Sequence, residues 1–316
     1  MSAGTRMRSA AITGLGAHRP ANRVDNAAIA ERLESSDDWI RERSGIITRG
    51  VAADGDGVVE MAVDAGGKAL AAAGVVPGDV DLVMVATCTL PGQLPSAAPE
   101  VAYRLGAHTA GAFDVGAACA GFTYALAMAA DSIRAGSADH ILIVGSEHFT
   151  PLLDHDDRGS AFLFGDGAGA AVVSVAEQDG IGPAVWAHDG AQAQILTIQG
   201  KLAMDGKAIY RWATTAIPDL CRRTCERAGI DLADLKAFVP HQANHRITMS
   251  VARSLKLPPS VIVADDITVS GNTSAASVPL ALARLVESGQ VRRGDPVLLF
   301  GFGAGLTAAG QVVRCP

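Results

Sequence analysis

The chain repeats its own plan, and that repetition limits the folds open to it more than any other feature. Val80–Cys88 reads as a buried strand running into a loop, and Leu235–His241 reads the same way. Each follows a helical stretch closed by glycine, at Ala72-Ala73-Gly74 and at Arg227-Ala228-Gly229, where glycine is the usual helix stop. A second apolar segment comes next, Ala112–Val115 in one half and Ile267–Ser270 in the other, each read as a strand. Small-residue turns follow, Cys119-Ala120-Gly121 and Gly271-Asn272-Thr273, and then the helical runs Phe122–Ile133 and Ala276–Val286. Both halves end in a buried strand, His140–Val144 and Pro296–Phe300. Cys88 to Cys119 and His241 to Asn272 each span 31 residues.

Short apolar strands joined by helices specify an α/β fold whose sheets are covered on both faces. The expected halves run over residues 8–176 and 177–316. Chance similarity between alanine-rich helices is the alternative. Ser44–Asp56 and the polar loop Asp154–Arg158 fall outside the repeated skeleton, as substrate-binding insertions often do.

Composition narrows the function. Charged residues are only 19% of the chain against 49% hydrophobic, so much surface must be hidden in a core or a subunit interface. Aromatics are 4%, which leaves alanine, valine, leucine and isoleucine to fill it. The 26 basic residues against 33 acidic ones give a net charge of −7, which offers no general attraction to nucleic acid or an acidic membrane. The five cysteines are scattered and odd in number, so a reducing compartment is expected rather than a disulfide framework. Met1–Ala10 is not followed by an apolar run of signal-peptide type, and Val115–Ala130 is too short to span a bilayer. A soluble cytoplasmic protein is the expectation.

Three residues stand where strands turn into helices. Cys119 lies in Asp114-Val115-Gly116-Ala117-Ala118-Cys119-Ala120-Gly121-Phe122, where the free N–H groups of a helix start would lower its pKa and favour attack on an acyl thioester. A small core cysteine is the other reading. His241 follows Val239-Pro240 at the carboxyl end of a strand, where ligands favour open sheets, although it could simply satisfy a backbone group. His241 and Asn244, three apart, could share one helical face. Asn272 is either a helix cap or a polar group brought to the pseudo-twofold axis beside Cys119 and His241.

The glycine loops Gly165–Gly169 and Gly301–Gly305 lack the context of a nucleotide-binding loop, but the second could aim an N–H into a pocket as an oxyanion hole requires. Cys221 and Cys225 have no second pair, so no metal site is expected.

Six motifs in order carry a resemblance that covers essentially the whole chain. They are Trp39–Ile46; Leu94-Pro95-Ser96-Ala97-Ala98; the surroundings of Cys119; Asp157–Ser160 with Phe164–Ala171; His241–Arg246; and Ser270–Ser274 with Gly301–Thr307. The chain resembles the β-ketoacyl-[acyl-carrier-protein] synthase III family, condensing enzymes of the thiolase superfamily that start fatty-acid chains, with relatives that prime polyketides.

The resemblance implies a thiolase-like five-layered αβαβα sandwich and a homodimer. It implies acyl-CoA as substrate with no permanently bound cofactor, and malonyl-loaded acyl carrier protein as partner. By the same resemblance Cys119 is the nucleophile and His241 and Asn272 are the decarboxylation pair. The backbone N–H groups of Cys119 and Ala304 form the oxyanion hole. Trp39, Arg43, Arg158 and Asn244 hold coenzyme A; Arg211, Arg246 and Arg253 face the carrier protein; and Leu94 closes the partner subunit's acyl pocket.

Ala304 in place of a common glycine, Thr307-Ala308-Ala309 in place of Thr-Trp-Gly, Gly116, and a short lid near 189–204 depart from the family pattern. The rivals are a same-fold acyltransferase acting on an alcohol or amine, and a non-catalytic module that binds carrier protein.

Overall fold

In a computed structural model, described over residues 8–92 and 94–316, two five-stranded sheets share one strand order. The first runs Ser9–His18, Gly167–Ala176, His140–Glu147, Leu82–Ala86, Gly111–Val115. The second runs Val185–His188, Thr307–Arg314, Pro296–Gly303, Ala237–Pro240, Ile262–Val263. In each the last three strands are parallel and the first two join antiparallel.

Alternation along the parallel strands explains the layering. Met84, Ala86, Ile141 and Ile143 face one side of the first sheet and meet Ala237, Val239, Val297 and Leu299 of the second across the helices Gly121–Arg134 and Ser277–Glu287. Val83, Val85, Leu142 and Val144 face the other side, under the helices Val58–Ala73 and Ala97–Leu105. Helices Gly206–Ala228 and His245–Leu255 cover the outer face of the second sheet around Phe238, Leu298 and Phe300. The order is helix, sheet, helix, sheet, helix, so the fold is the thiolase-like sandwich of two pseudo-symmetric halves.

Local signals set the ends of these helices. Glu60 accepts from the Gly57 N–H at 3.0 Å at the start of Val58–Ala73, and Gly74 closes it at φ 66°. Asp205 accepts from the N–H groups of Lys207 and Ala208, each at 3.0 Å, to start Gly206–Ala228.

Two readings of the repeat need correction. Ile267–Ser270 is a helical turn, closed by Gly271 at φ 70°, and the strand in that place is Ile262–Val263. The β-branched run favours a strand locally, but the sheet's edge is already occupied. The equal 31-residue spacings also do not give the true register. The short turn Ala118–Ala120 corresponds to Ser274–Ala276, so Cys119 is matched by Ala275 rather than by Asn272. Ala118 and Ser274 share the same unusual backbone, with φ of 45° and 48°.

The halves cross at these turns. Glycines at the carboxyl ends of the two longest parallel strands let the opposite turn approach. A Cβ on Gly145 would stand 2.3 Å from the Ala275 carbonyl oxygen, and one on Gly303 would stand 2.8 Å from the Cys119 Cβ. Gly145→Ala must therefore push backbone against backbone. It is expected to cost about 1–3 kcal/mol or more, read as a lowered denaturant midpoint with an unchanged slope.

Candidate active site

Cys119 sits in the turn immediately before helix Gly121–Arg134 and is 7% exposed. Its own backbone N–H and that of Ala304 reach the thiol and lower its pKa, as does a 3.3 Å hydrogen bond from Ser274 Oγ. Burial outweighs them and pushes the thiol up to about 12. The expectation that the helix start would make this cysteine acidic is thereby reversed, because the sequence shows the helix start but not the depth. Ala304 keeps an ordinary backbone: the non-glycine residues with positive φ among those described are Glu34, Ala118, Lys256 and Ser274.

His241 follows strand Ala237–Pro240, with its N–H on the Phe300 carbonyl at 2.7 Å and its ring edge-on to Phe302 at 5.2 Å. Burial lowers its pKa to about 3, so the ring is neutral at ordinary pH. Its Nδ1 lies 2.7 Å from Ser277 Oγ, which also accepts the Gln242 N–H at 3.3 Å. That hydroxyl has its own proton left to donate to Nδ1, an arrangement compatible with the ring proton on Nε2. His241 and Asn244 do not share a helical face. Asn244 caps helix His245–Leu255, accepting from the Arg246 N–H at 2.8 Å and donating Nδ2–H to the Arg43 carbonyl at 3.0 Å.

Asn272 is 6% exposed and fixed through its backbone: its N–H donates to Leu163 at 2.8 Å and its carbonyl accepts from Gly165 at 3.0 Å. Its Oδ1 accepts the Ser274 N–H at 2.9 Å, a local turn rather than a helix cap, since the turn Ser274–Ala276 and helix Ser277–Glu287 start from Thr273 and Ala276. That bond also turns Nδ2 away from Ser274, with one N–H 3.5 Å from the Ala243 carbonyl.

All three side chains line one cavity of about 1330 Å³. Gly303 and Ala304 lie beside Cys119, while Leu196, Ile198, Leu202 and Met204 of the hairpin Leu196–Met204 supply an apolar wall. At the exposed end the Arg43 and Arg158 guanidinium groups stand 4.4 and 5.3 Å from the Trp39 ring, whose edge meets Phe162 at 5.2 Å. Asn244, Arg211 and Arg246 also line the cavity, and Arg246 stands 6.0 Å from the Tyr210 ring. Arg253 is exposed in the last turn of helix His245–Leu255 and does not line it. Leu94 is 87% exposed and also lies outside this cavity.

Four residues that sequence reasoning passed over complete the surroundings: Ser274 and Ser277, already placed, and Glu147 and Cys88. Glu147 is wholly buried at the carboxyl end of strand His140–Glu147 and is held by Thr87, Cys88, Thr89, Ser274 and Ala275. A carboxylate ending an apolar strand was the available signal. Cys221 and Cys225 are both buried in the outer layer of the second half. Among the described residues no group of three or more His, Cys, Asp or Glu could hold a metal ion, and no helix is long and apolar enough to cross a membrane.

Comparison with known proteins places this arrangement among relatives. Two family models match: 3-oxoacyl-[acyl-carrier-protein (ACP)] synthase III over residues 113–190, and its C-terminal counterpart over 225–315. Beta-ketoacyl-[acyl-carrier-protein] synthase III 4 of Streptomyces coelicolor is 47% identical over 311 residues, covering 96% of this chain and 98% of that protein. Beta-ketoacyl-[acyl-carrier-protein] synthase III 2 of Streptomyces avermitilis is 46% identical over 316 residues, 98% and 100% of the two chains. Among solved structures, the priming β-ketosynthase from the R1128 polyketide biosynthetic pathway superposes with TM-score 0.96 at 42% identity, covering 99% of each chain. The 3-oxoacyl-(acyl carrier protein) synthase III of Pseudomonas aeruginosa PAO1 gives 0.93 at 41% identity, covering 98% of this chain and 99% of that one.

Proposed function

The chain belongs to the 3-oxoacyl-[acyl-carrier-protein] synthase III family of condensing enzymes, and from that premise we propose that it joins an acyl-CoA primer to malonyl-acyl carrier protein through an acyl-Cys119 intermediate. The observation that carries this reading is the convergence of Cys119, His241 and Asn272 in one cavity. The primer's thioester meets the Cys119 sulfur; its carbon–sulfur bond breaks and coenzyme A leaves as the thiol. The N–H groups of Cys119 and Ala304 hold the oxyanion of the tetrahedral intermediate, a role that their position beside the thiol supports.

Malonyl thioester then loses CO2, which leaves an enolate whose charge sits on the thioester oxygen. A neutral His241 presenting Nε2–H and an Asn272 presenting Nδ2–H are donors suited to that oxygen, and neither has to act as a base. The enolate carbon attacks acyl-Cys119, expels the thiolate and gives the β-ketoacyl product.

Trp39, Arg43 and Arg158 take the nucleotide end of coenzyme A, where two cations and one ring suit a phosphorylated, aromatic headgroup. Asn244 sits along the tunnel, while Arg211, Arg246 and Arg253 offer positive charge to an acidic carrier protein. Strand Gly111–Val115 ends its sheet with a free edge among the described strands, next to the exposed Tyr103 and Phe113. That face supports a homodimer, with Leu94 reaching the partner's acyl pocket. The chain's two halves are residues 8–176 and 177–316.

Intact-protein mass spectrometry after exposure to a panel of acyl-CoAs, followed by malonyl-carrier protein, tests the reading. An adduct on Cys119 that is consumed with release of CO2 is expected, and the chain length that gives it names the primer. An adduct that transfers to an alcohol or amine and never condenses would make the protein an acyltransferase. No adduct from any acyl-CoA would end the CoA-primed scheme.

A further inference from the structure

We propose that Ser274 and Glu147 relay the proton of Cys119, with Ser274 touching the reacting sulfur and Glu147 acting through it. The inference rests on Cys119 being the nucleophile and adds how so deeply buried a thiol is ionised. Ser274 Oγ stands 3.3 Å from Cys119 Sγ and 2.8 Å from Glu147 Oε1. A hydroxyl has one proton: aimed at Cys119 it supports a thiolate, and turned to the carboxylate it leaves a lone pair to accept from the thiol.

The far side of Glu147 is built to hold charge. Oε2 accepts from Thr87 Oγ1 at 3.1 Å, the Cys88 N–H at 3.0 Å and Thr89 Oγ1 at 2.7 Å. Oε1 also accepts from the Ala275 N–H and the Cys88 thiol, each at 3.3 Å. No ion pair to this carboxylate exists among the described residues. A buried anion with donors and no cation binds a proton more readily than an exposed carboxylate, and burial does raise the pKa of Glu147.

Charge conservation favours the relay over simple ionisation. A thiolate formed beside an ionised Glu147 would put two negative charges in one dry pocket. When the Cys119 S–H proton passes to Ser274 and the Ser274 proton passes to Glu147, the pocket keeps one charge throughout. The thiolate then attacks the primer's carbonyl carbon, the bond to the CoA sulfur breaks, and the proton returns through Ser274 to the departing CoA thiolate. A thioester and a thiol enter and a thioester and a thiol leave.

The other titratable groups facing this pocket do not replace Glu147. Cys88 is a donor with its own pKa raised, and the His241 Nδ1 is engaged by Ser277. His148 lies 3.9 Å from Asp166. The backbone of Ser274, at φ 48°, has the same unusual conformation as Ala118, and its hydroxyl stands among Cys119, Glu147 and, at 3.6 Å, the Cys88 sulfur.

The test is the pH dependence of Cys119 alkylation by iodoacetamide, read on the Cys119 peptide by mass spectrometry in the parent, Glu147→Gln, Glu147→Asp and Ser274→Ala. With the relay, the reactive tautomer's population does not change once Glu147 has lost its proton, so the parent's rate levels off with rising pH instead of climbing through the thiol's own ionisation. Glu147→Gln and Ser274→Ala are expected to react about 100-fold more slowly at pH 7 and to gain about tenfold per pH unit. Glu147→Asp is expected to restore the plateau. A plateau unchanged in both Glu147→Gln and Ser274→Ala would overturn the relay and leave Glu147 a structural group, even if stability fell. Should Glu147→Gln not fold, Ser274→Ala decides alone. Alkylation needs no acyl-CoA, so failure of the acyl panel with these profiles intact would sink the proposed function and not the relay.

Discussion

Cys119→Ala is expected to form no acyl adduct with any acyl-CoA and to lose condensation by on the order of 10⁴-fold or more, since removing a nucleophile abolishes the covalent route. The size of the loss reports chemistry rather than folding. The side chain is small, already 7% exposed, and it leaves the packing of Gly303 against the turn unstrained. The variant should therefore unfold close to the parent's midpoint. It should also keep decarboxylating malonyl-carrier protein, because His241 and Asn272 are untouched and their donors serve that step alone. Release of CO2 without product is the distinguishing result. Loss of both activities together would mean that the thiol also shapes the malonyl site.

The three side chains proposed to react are legible because each stands at a strand end or a strand–helix joint, where residue type and position speak together. The repeat allows their convergence, although its equal spacings do not give the register that brings them into one cavity. The apolar run Ile267–Ser270 looks like a strand, and only the pairing of Ile262–Val263 with Ala237–Phe238 shows that the sheet edge is taken. Depth was not legible. A helix start predicts an acidic thiol, but the cover supplied by segments from both halves buries Cys119 and reverses the sign. Glu147 was missed for the same reason. Its place at a strand end is a signal, but what encloses it comes from Thr87–Thr89 and Ser274–Ala275, remote in sequence. Ser277 reads as one more small residue of an alanine-rich helix, yet its hydroxyl holds the His241 Nδ1 at 2.7 Å. Patterns within a segment survive in sequence; contacts between segments do not.

His241→Ala and Asn272→Ala separate the two half-reactions. Each removes one donor to the enolate oxygen, a loss of about 10²–10³-fold in decarboxylation and condensation by analogy with oxyanion donors elsewhere. Acylation of Cys119 should stay within a few-fold, because its oxyanion is held by backbone N–H groups that neither change disturbs. The double variant should lose less than the product of the single losses, since two donors to one oxygen act as a unit. The pH dependence gives an independent check. With a pKa near 3, His241 is neutral and its Nε2–H donor is present throughout the physiological range, so condensation should show no limb near pH 6.5 that His241→Ala removes. The same shift bears on stability. The unfolded chain binds a proton on this histidine below about pH 6.5 that the folded chain refuses until near pH 3. His241 therefore costs stability as pH falls through that window, by up to about 1.4 kcal/mol per pH unit. His241→Gln should flatten that part of the acid-unfolding curve. An unchanged curve, or a condensation limb near pH 6.5 that follows His241, would mean the ring carries a proton during turnover and acts as an acid rather than as a neutral donor.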